Sequence, residues 1–272
     1  MSDAPKLSLY FYLFNARLRD FDLDGCVHNF TQFFDQTVCA TVPSDDDTLD
    51  RLLAYERELG ADRFKVIQTT IDYRRNNRFD GDLKTAALEA CVHPIRVIAD
   101  ADELFPLSNR PMWNAAAESL LSNPFTDGYL IPVIDVYSDM SLIRADQQVG
   151  VKFRLHKASV VRRGVPRFAE MGGGLFNTKA SDSTEPLLAN GELAQFMPLA
   201  PRPYLQPNLV YMLVASPYVV HLGFLDLERK AKLGKEFWKE HWEKRSGATE
   251  DVATERYQLD GHPLIKHGLP LT

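Results

Sequence analysis

The sequence predicts an α/β fold in which a mixed sheet, parallel in its first half, carries helices on both faces. Three observations predict it. Strand-like and helix-like stretches alternate from Leu7 to Ile98, the period of parallel βαβ units with right-handed crossovers. One buried strand, Ile95-Arg96-Val97-Ile98, runs out into Asp100-Ala101-Asp102-Glu103 and delivers carboxylates to the lip of a sheet, where open α/β proteins bind ligands. Past Phe105 the alternation stops, and a stretch rich in Gly, Pro, Ser and Asn precedes one last strand and a long helix.

Leu7 to Asn15 is aromatic-rich and suits a first strand buried on both faces. Asp22 or Asp24 caps a helix whose stripe is Leu23, Cys26, Val27, Phe30, Phe33 and Phe34. Gln36 to Thr41 is a second strand. Ser44-Asp45-Asp46-Asp47 offers several N-caps to a helix that buries Leu49, Leu52, Leu53 and Leu59 and stops at Gly60. Phe64 to Thr69 is a third strand, followed by a polar loop through Arg74-Arg75-Asn76-Asn77. Asp80 or Asp82 opens a third helix with Leu83, Ala86, Ala87 and Ala90 inward, and the carboxylate-bearing strand follows.

In the second half, Pro111 fits the first turn of a helix through Trp113, Ala117, Leu120 and Leu121. Gly128 to Tyr137 is a strand in which Pro132 points to an edge or a bulge. Val151 to His156 alternates like a half-exposed strand. Residues 163–208 read as an active-site loop or an unstructured connection. Tyr218 to Phe224 is the last strand, and Asp226 opens a helix with Leu227, Ala231, Gly234, Trp238 and Trp242 on its apolar stripe. Both tryptophans read as core, and the tail from Ser246 is polar.

With 272 residues the chain is long enough for a real core, and its net charge of −6 argues against a broad basic face for nucleic acid. Three cysteines, Cys26, Cys39 and Cys91, lack metal-ligand spacing and read as small hydrophobes in a reducing compartment. No apolar run approaches the roughly 20 residues that cross a bilayer. Asp3 precedes the apolar Leu7–Phe14 and no small-residue cleavage site follows, so the expected location is cytoplasmic. A P-loop, a Rossmann glycine fingerprint and a Ser-His-Asp order are all absent from the sequence.

Asp100 and Asp102 stand two apart, so in an extended backbone they point the same way and share one hard cation; otherwise they form a solvated polar turn. His221 reads either as a further metal ligand, an imidazole suiting Mn²⁺ better than Mg²⁺, or as a satisfied core residue.

In the same order along the chain, Ser44-Asp45-Asp46-Asp47-Thr48-Leu49, Lys84-Thr85-Ala86-Ala87-Leu88-Glu89-Ala90 and Asp100-Ala101-Asp102-Glu103 resemble segments of family 2 glycosyltransferases. The first resembles that family's serine-rich turn, the second its basic helix and the third its Asp-x-Asp motif. Lys152-Phe153-Arg154-Leu155 and His221-Leu222-Gly223 resemble later elements of it. Thr41 stands where the family places an acidic residue, and Lys84 replaces its more usual Arg, which gives up a bidentate fork.

The resemblance implies a GT-A fold, Rossmann-like, over residues 1–225, with a nucleotide-sugar half at 1–105, an acceptor half at 106–225 and a C-terminal helix and tail at 226–272. It implies transfer of a sugar from a nucleotide diphosphate sugar, UDP-linked by preference, with Mn²⁺ or Mg²⁺ offsetting the charge on the departing phosphate. The implied metal residues are Asp100, Asp102 and His221. Asn15, Asp45, Asp46, Lys84, Asp100 and Arg154 are the implied nucleotide-sugar residues, and one of the two aspartates also serves as a helix cap. Glu103 is expected to point outward or to support its neighbours. Glu170 and Asp135 are the candidates for general base. The acceptor hydroxyl belongs to a glycan, lipid, protein or hydroxymethylated DNA base, the last calling for a basic cleft from Arg162, Arg163, Arg167, Lys230, Lys232 and Lys235. The competing reading is a catalytically silent binding module for a nucleotide sugar or a protein on the same fold.

Overall fold

Side chains alternate across the first strand, β1 (Leu7–Tyr12): Leu7, Leu9 and Phe11 enter one apolar cluster, Tyr10 and Tyr12 the other. That alternation makes the strand the floor of two cores, with helices needed on both sides. The computed structural model describes residues 4–73, 79–124, 126, 128–144, 150–158, 216–224 and 226, together with short strands at 167–168, 175–176, 196–198 and 264–266.

The elements follow as α1 (Leu23–Phe33), β2 (Gln36–Thr41), α2 (Thr48–Leu59), β3 (Phe64–Gln68), α3 (Phe79–Glu89), β4 (Ile95–Ile98), β5 (Glu103–Leu104), α4 (Arg110–Ser122) and β6 (Gly128–Tyr137). After these come β7 (Leu142–Arg144), β8 (Gly150–Lys157), β9 (Arg167–Phe168), β10 (Leu175–Phe176), β11 (Phe196–Pro198), β12 (Val219–Phe224) and β13 (Leu264–Lys266). The main sheet runs β3-β2-β1-β4-β8-β6-β12-β5, with β11 also on β6. Its first four strands are parallel, as the alternation predicts. β8 is antiparallel to both neighbours, and β12 runs parallel to β6 but antiparallel to β5. The sheet is therefore mixed. Apolar faces of α1, α2 and α4 pack on one side, around Phe30, Phe33, Leu52, Phe105 and Trp113, and α3 covers the other with Phe79, Leu83, Ala87 and Leu88.

Local chemistry explains the boundaries. The Asp22 carboxylate accepts from the Gly25 backbone N–H and caps α1. Gly60 ends α2 at φ +82°, a conformation L side chains resist. Pro111 sits in the first turn of α4.

Several expectations are corrected. Leu59 and Leu121 are exposed, each at a helix end beyond reach of the core. Pro132 lies in an interior strand, since β6 has β8 on one side and β12 on the other; the irregularity falls earlier, at Tyr129/Leu130. On β8, Arg154, Leu155 and His156 are all buried, because the strand occupies the centre of the sheet and both its faces are covered. Buried there, the His156 ring holds a hydrogen bond with the Tyr10 hydroxyl at Nε2 (3.0 Å) and with the Lys157 carbonyl at Nδ1 (3.0 Å). The helix expected from Asp226 and most of the loop at 163–208 lie outside the described residues. Among the described residues no helix is long and apolar enough to cross a membrane.

Candidate functional site

Because β1, β2 and β4 run parallel, the segments that leave their C-terminal ends meet at one edge of the sheet: Asn15 after β1, Ser44–Thr48 after β2 and Asp100–Glu103 after β4. α3 brings Lys84 to this edge, β8 brings Arg154 and β12 brings His221.

The backbone from Asp100 to Glu103 is a turn, with the Glu103 N–H donating to the Asp100 carbonyl at 3.2 Å. That corrects the expectation of an extended backbone with both acids pointing one way. Asp100 faces two cations: Lys84 Nζ donates to Oδ1 at 2.9 Å and Arg154 Nη2 to Oδ2 at 3.2 Å. Lys84 also lies 3.4 Å from Asp80, one helical turn back. Arg154 pairs as well with Glu103, whose other oxygen accepts the Asp100 N–H at 3.0 Å. Glu103 is thus fully buried rather than outward, and it clamps the turn from below. Burial opposes the charge on Lys84, but Asp100 and Asp80 outweigh it and raise its pKa. Burial likewise opposes the Arg154 charge, and Glu103 and Asp100 reverse the balance. Both cations stay charged because the attraction of the neighbouring acids outweighs the cost of burying them.

Asp102 faces the other way. Its Oδ2 lies 3.2 Å from His221 Nε2, while His221 Nδ1 lies 2.6 Å from Asp135 Oδ1. Sheet register makes this triple: β12 aligns His221 with Asp135 on β6 and lies against β5, and the Leu222 N–H donates to the Asp102 carbonyl at 2.8 Å. Burial works against a charged ring, but Asp102 and Asp135 outweigh it and push the His221 pKa up to about 9. The ring is therefore an imidazolium at neutral pH, bridging two carboxylates.

The GT-A resemblance implies a divalent ion here, and the residues present fit one. Two ligands on one octahedral Mg²⁺ at about 2.1 Å each stand about 3 Å apart, close to the 3.2 Å between Asp102 Oδ2 and His221 Nε2. The three implied metal residues do not form one set, however: among the described residues no group of three or more His, Cys, Asp or Glu side chains is arranged to hold a metal. Asp100 is turned toward Lys84 and Arg154.

A second polar group lies at the ends of β1 and β2. Asn15 adopts φ +51°, and its Nδ2 donates to Asp45 Oδ2 at 3.3 Å and to the Tyr73 hydroxyl at 3.2 Å. The Asp45 N–H donates back to Asn15 Oδ1 at 2.7 Å, and the Tyr73 O–H donates to Asp45 Oδ2 at 2.9 Å. Tyr73 leans on Phe14, ring centroids 4.6 Å apart. Asp46 takes a different part: its oxygens accept the backbone N–H of Thr48 and of Leu18. Burial opposes ionisation of Asp46, yet these hydrogen bonds hold its pKa below the ordinary range. Asp46 is the aspartate that secures the entry to α2.

Thr41, where the resembled family places its acid, is fully buried and donates to the Val42 carbonyl. Glu170 and the side chains of Arg162, Arg163, Arg167, Lys230, Lys232 and Lys235 lie outside the described residues. Sequence reading missed two members of the site. Tyr73 had only its aromaticity in a polar loop as a signal, and Asp80 only its spacing of four from Lys84.

No family model matches the chain, and no curated protein matches its sequence. Among solved structures it is similar to residues 1–349 of S. aureus TarS at 12% identity and a TM-score of 0.48, over 94% of this chain and 72% of that one. Of another TarS structure it spans 41%. It is similar to the mannosyltransferase PcManGT from Pyrobaculum calidifontis, in complex with GDP-Man and Mn²⁺, at 15% identity and a TM-score of 0.45, over 92% and 66%. It is also similar to GalNAc-T7 with UDP, GalNAc and Mn²⁺, at 11% identity and a TM-score of 0.46, over 96% and 55%. These distant structural matches are to GT-A glycosyltransferases, the group the sequence resembles.

Proposed function

We propose that the chain is a metal-dependent glycosyltransferase that moves a sugar from a nucleotide diphosphate sugar, by preference a UDP-sugar, to an acceptor hydroxyl. One observation carries this reading: Asp102 Oδ2 and His221 Nε2 converge at 3.2 Å at the edge of the mixed sheet where its parallel strand β4 runs out. Mn²⁺ or Mg²⁺, when bound there, supplies positive charge against the departing phosphate.

The chain's own residues divide the remaining work. Asp102 and His221 present the ligand atoms. Asp100, with Lys84 and Arg154, keeps the turn rigid beside them, and the two cations add a positive field where diphosphate charge develops. Asn15, Asp45 and Tyr73 form the polar cluster that meets the nucleoside. Of the two candidate bases, Asp135 is engaged by His221, which leaves Glu170 to take the acceptor proton. Residues 1–105 form the donor half and 106–225 the acceptor half. The acceptor is a glycan or another hydroxyl-bearing molecule.

The test is a panel of nucleotide sugars, UDP-linked ones first, with and without Mn²⁺, read both as thermal shift and as hydrolysis of the donor. Mn²⁺-dependent stabilisation and release of UDP are the expected results. Stabilisation without any turnover would favour a silent binding module, and no stabilisation by any nucleotide sugar would overturn the proposal.

A further inference from the structure

We infer that Asp135 is a positioning residue that acts through His221, holding the imidazole so that Nε2 faces Asp102 and is kept for a divalent cation. The inference deepens the reading above and rests on it.

Two observations carry it. The Asp135 Oδ1···His221 Nδ1 separation is 2.6 Å, much shorter than the 3.2 Å from Nε2 to Asp102, so Asp135 makes the tighter of the two contacts. A carboxylate in that position accepts a hydrogen bond from Nδ1–H and holds the proton there, so that a cation displaces the proton on Nε2 and takes that nitrogen. Sheet register also holds the pair, since Asp135 and His221 sit opposite one another on adjacent parallel strands with Val133, Ile134, Val219 and Val220 packed beside them. Rotation of the ring would break the 2.6 Å Nδ1 contact with the partly exposed Asp135 carboxylate.

The arrangement assigns Asp135 a task that its sequence context does not disclose. Its position on β6 places it behind the imidazole, with the ring between it and the Asp102 carboxylate. A group so placed reaches the reaction by fixing the ring.

The experiment compares the 272-residue chain with D135N, D135A and H221Q, using Mn²⁺ alone as the probe and the free-ion EPR signal as the readout. Asn keeps an oxygen that accepts from Nδ1–H, whereas Ala keeps none. Wild type should bind one Mn²⁺. D135N should stay within about threefold of it, and D135A should weaken by about tenfold or more, the usual penalty for removing a group that orients a metal-bound histidine. D135A binding as tightly as wild type would overturn the inference. So would D135N as weak as D135A, which would make the charge of Asp135, and not its acceptor oxygen, the operative property.

A second readout needs no substitution at Asp135. In the Mg²⁺-loaded wild-type chain, the His221 ring nitrogens, assigned by their loss in H221Q, should show the proton on Nδ1. A proton on Nε2 would overturn the inference even if D135A fails to fold. If wild type bound neither Mn²⁺ nor Mg²⁺, the proposed function itself would fall, an outcome distinct from metal binding that is indifferent to Asp135.

Discussion

Arg154 and Glu103 form an ion pair at 1% and 0% side-chain exposure, underneath a turn whose first carboxylate, Asp100, shares the same guanidinium. Removing one partner of such a pair strands the other charge away from water, at a cost of about 3–5 kcal/mol. R154M and E103L should each lose about that much in urea denaturation. The double variant should recover part of the loss, since it leaves neither charge behind. Additive losses would mean that the two side chains are not coupled.

The turn above that pair aims Asp102 at His221, the proposed cation position. D102N keeps the shape of the side chain but gives up its charge. Turnover of the best UDP-sugar should fall by about 10²–10³-fold, the range seen when one electrostatic stabiliser is removed. Chelation with EDTA should abolish the remainder, and added Mn²⁺ should restore the wild type. Undiminished turnover in D102N would contradict the assignment.

The Asn15–Asp45–Tyr73 cluster predicts a nucleoside effect separate from the metal effect. Y73F deletes one hydroxyl that touches both Asn15 and Asp45. A hydrogen bond of this kind is worth about 0.5–1.5 kcal/mol, so the dissociation constant for UDP should rise by about 2–12-fold. Calorimetric titration checks it, with Mn²⁺ affinity unchanged.

His156 predicts a pH dependence of stability. Burial, opposed in part by its hydrogen bond to the Lys157 carbonyl, pushes the ring pKa down to about 3, against about 6.5 in the unfolded chain. Between those values only the unfolded chain takes up the proton. The contribution is therefore complete above about pH 6.5 and drains away as pH falls, with a slope of one proton. Stability measured by urea at pH 7, 6 and 5 should decline more steeply in wild type than in H156Q. Parallel declines would mean that the ring is protonated inside the fold.

The parallel half was legible because local signals mark its elements: Asp22 caps α1, Gly60 stops α2, and the apolar alternation of β1 and β4 points to two covered faces. β8 was misjudged because the alternation of Lys152, Arg154 and His156 suggests a wet face. Arg154 and His156 are buried with partners that come from other strands, Glu103 and Tyr10, and no local pattern announces such pairings. The same holds for the site. The acids after β4 were visible as a strand running out into charge. Their divergence toward Arg154 on one side and His221 on the other depends on the order of β8 and β12 in the sheet. Asp46 and Asp45 are neighbours of one type, and only the path of the chain past Leu18 decides which of them is used on backbone N–H groups.

Asp102 and His221 are separated by 119 positions. A nascent chain emerging from the ribosome gains the imidazole only when β12 has been synthesised. Until then the acidic turn has no ring to face, whatever the parallel half has already built. The proposed cation position is therefore completed only with β12, and a product that stalls short of it would lack the imidazole that faces Asp102.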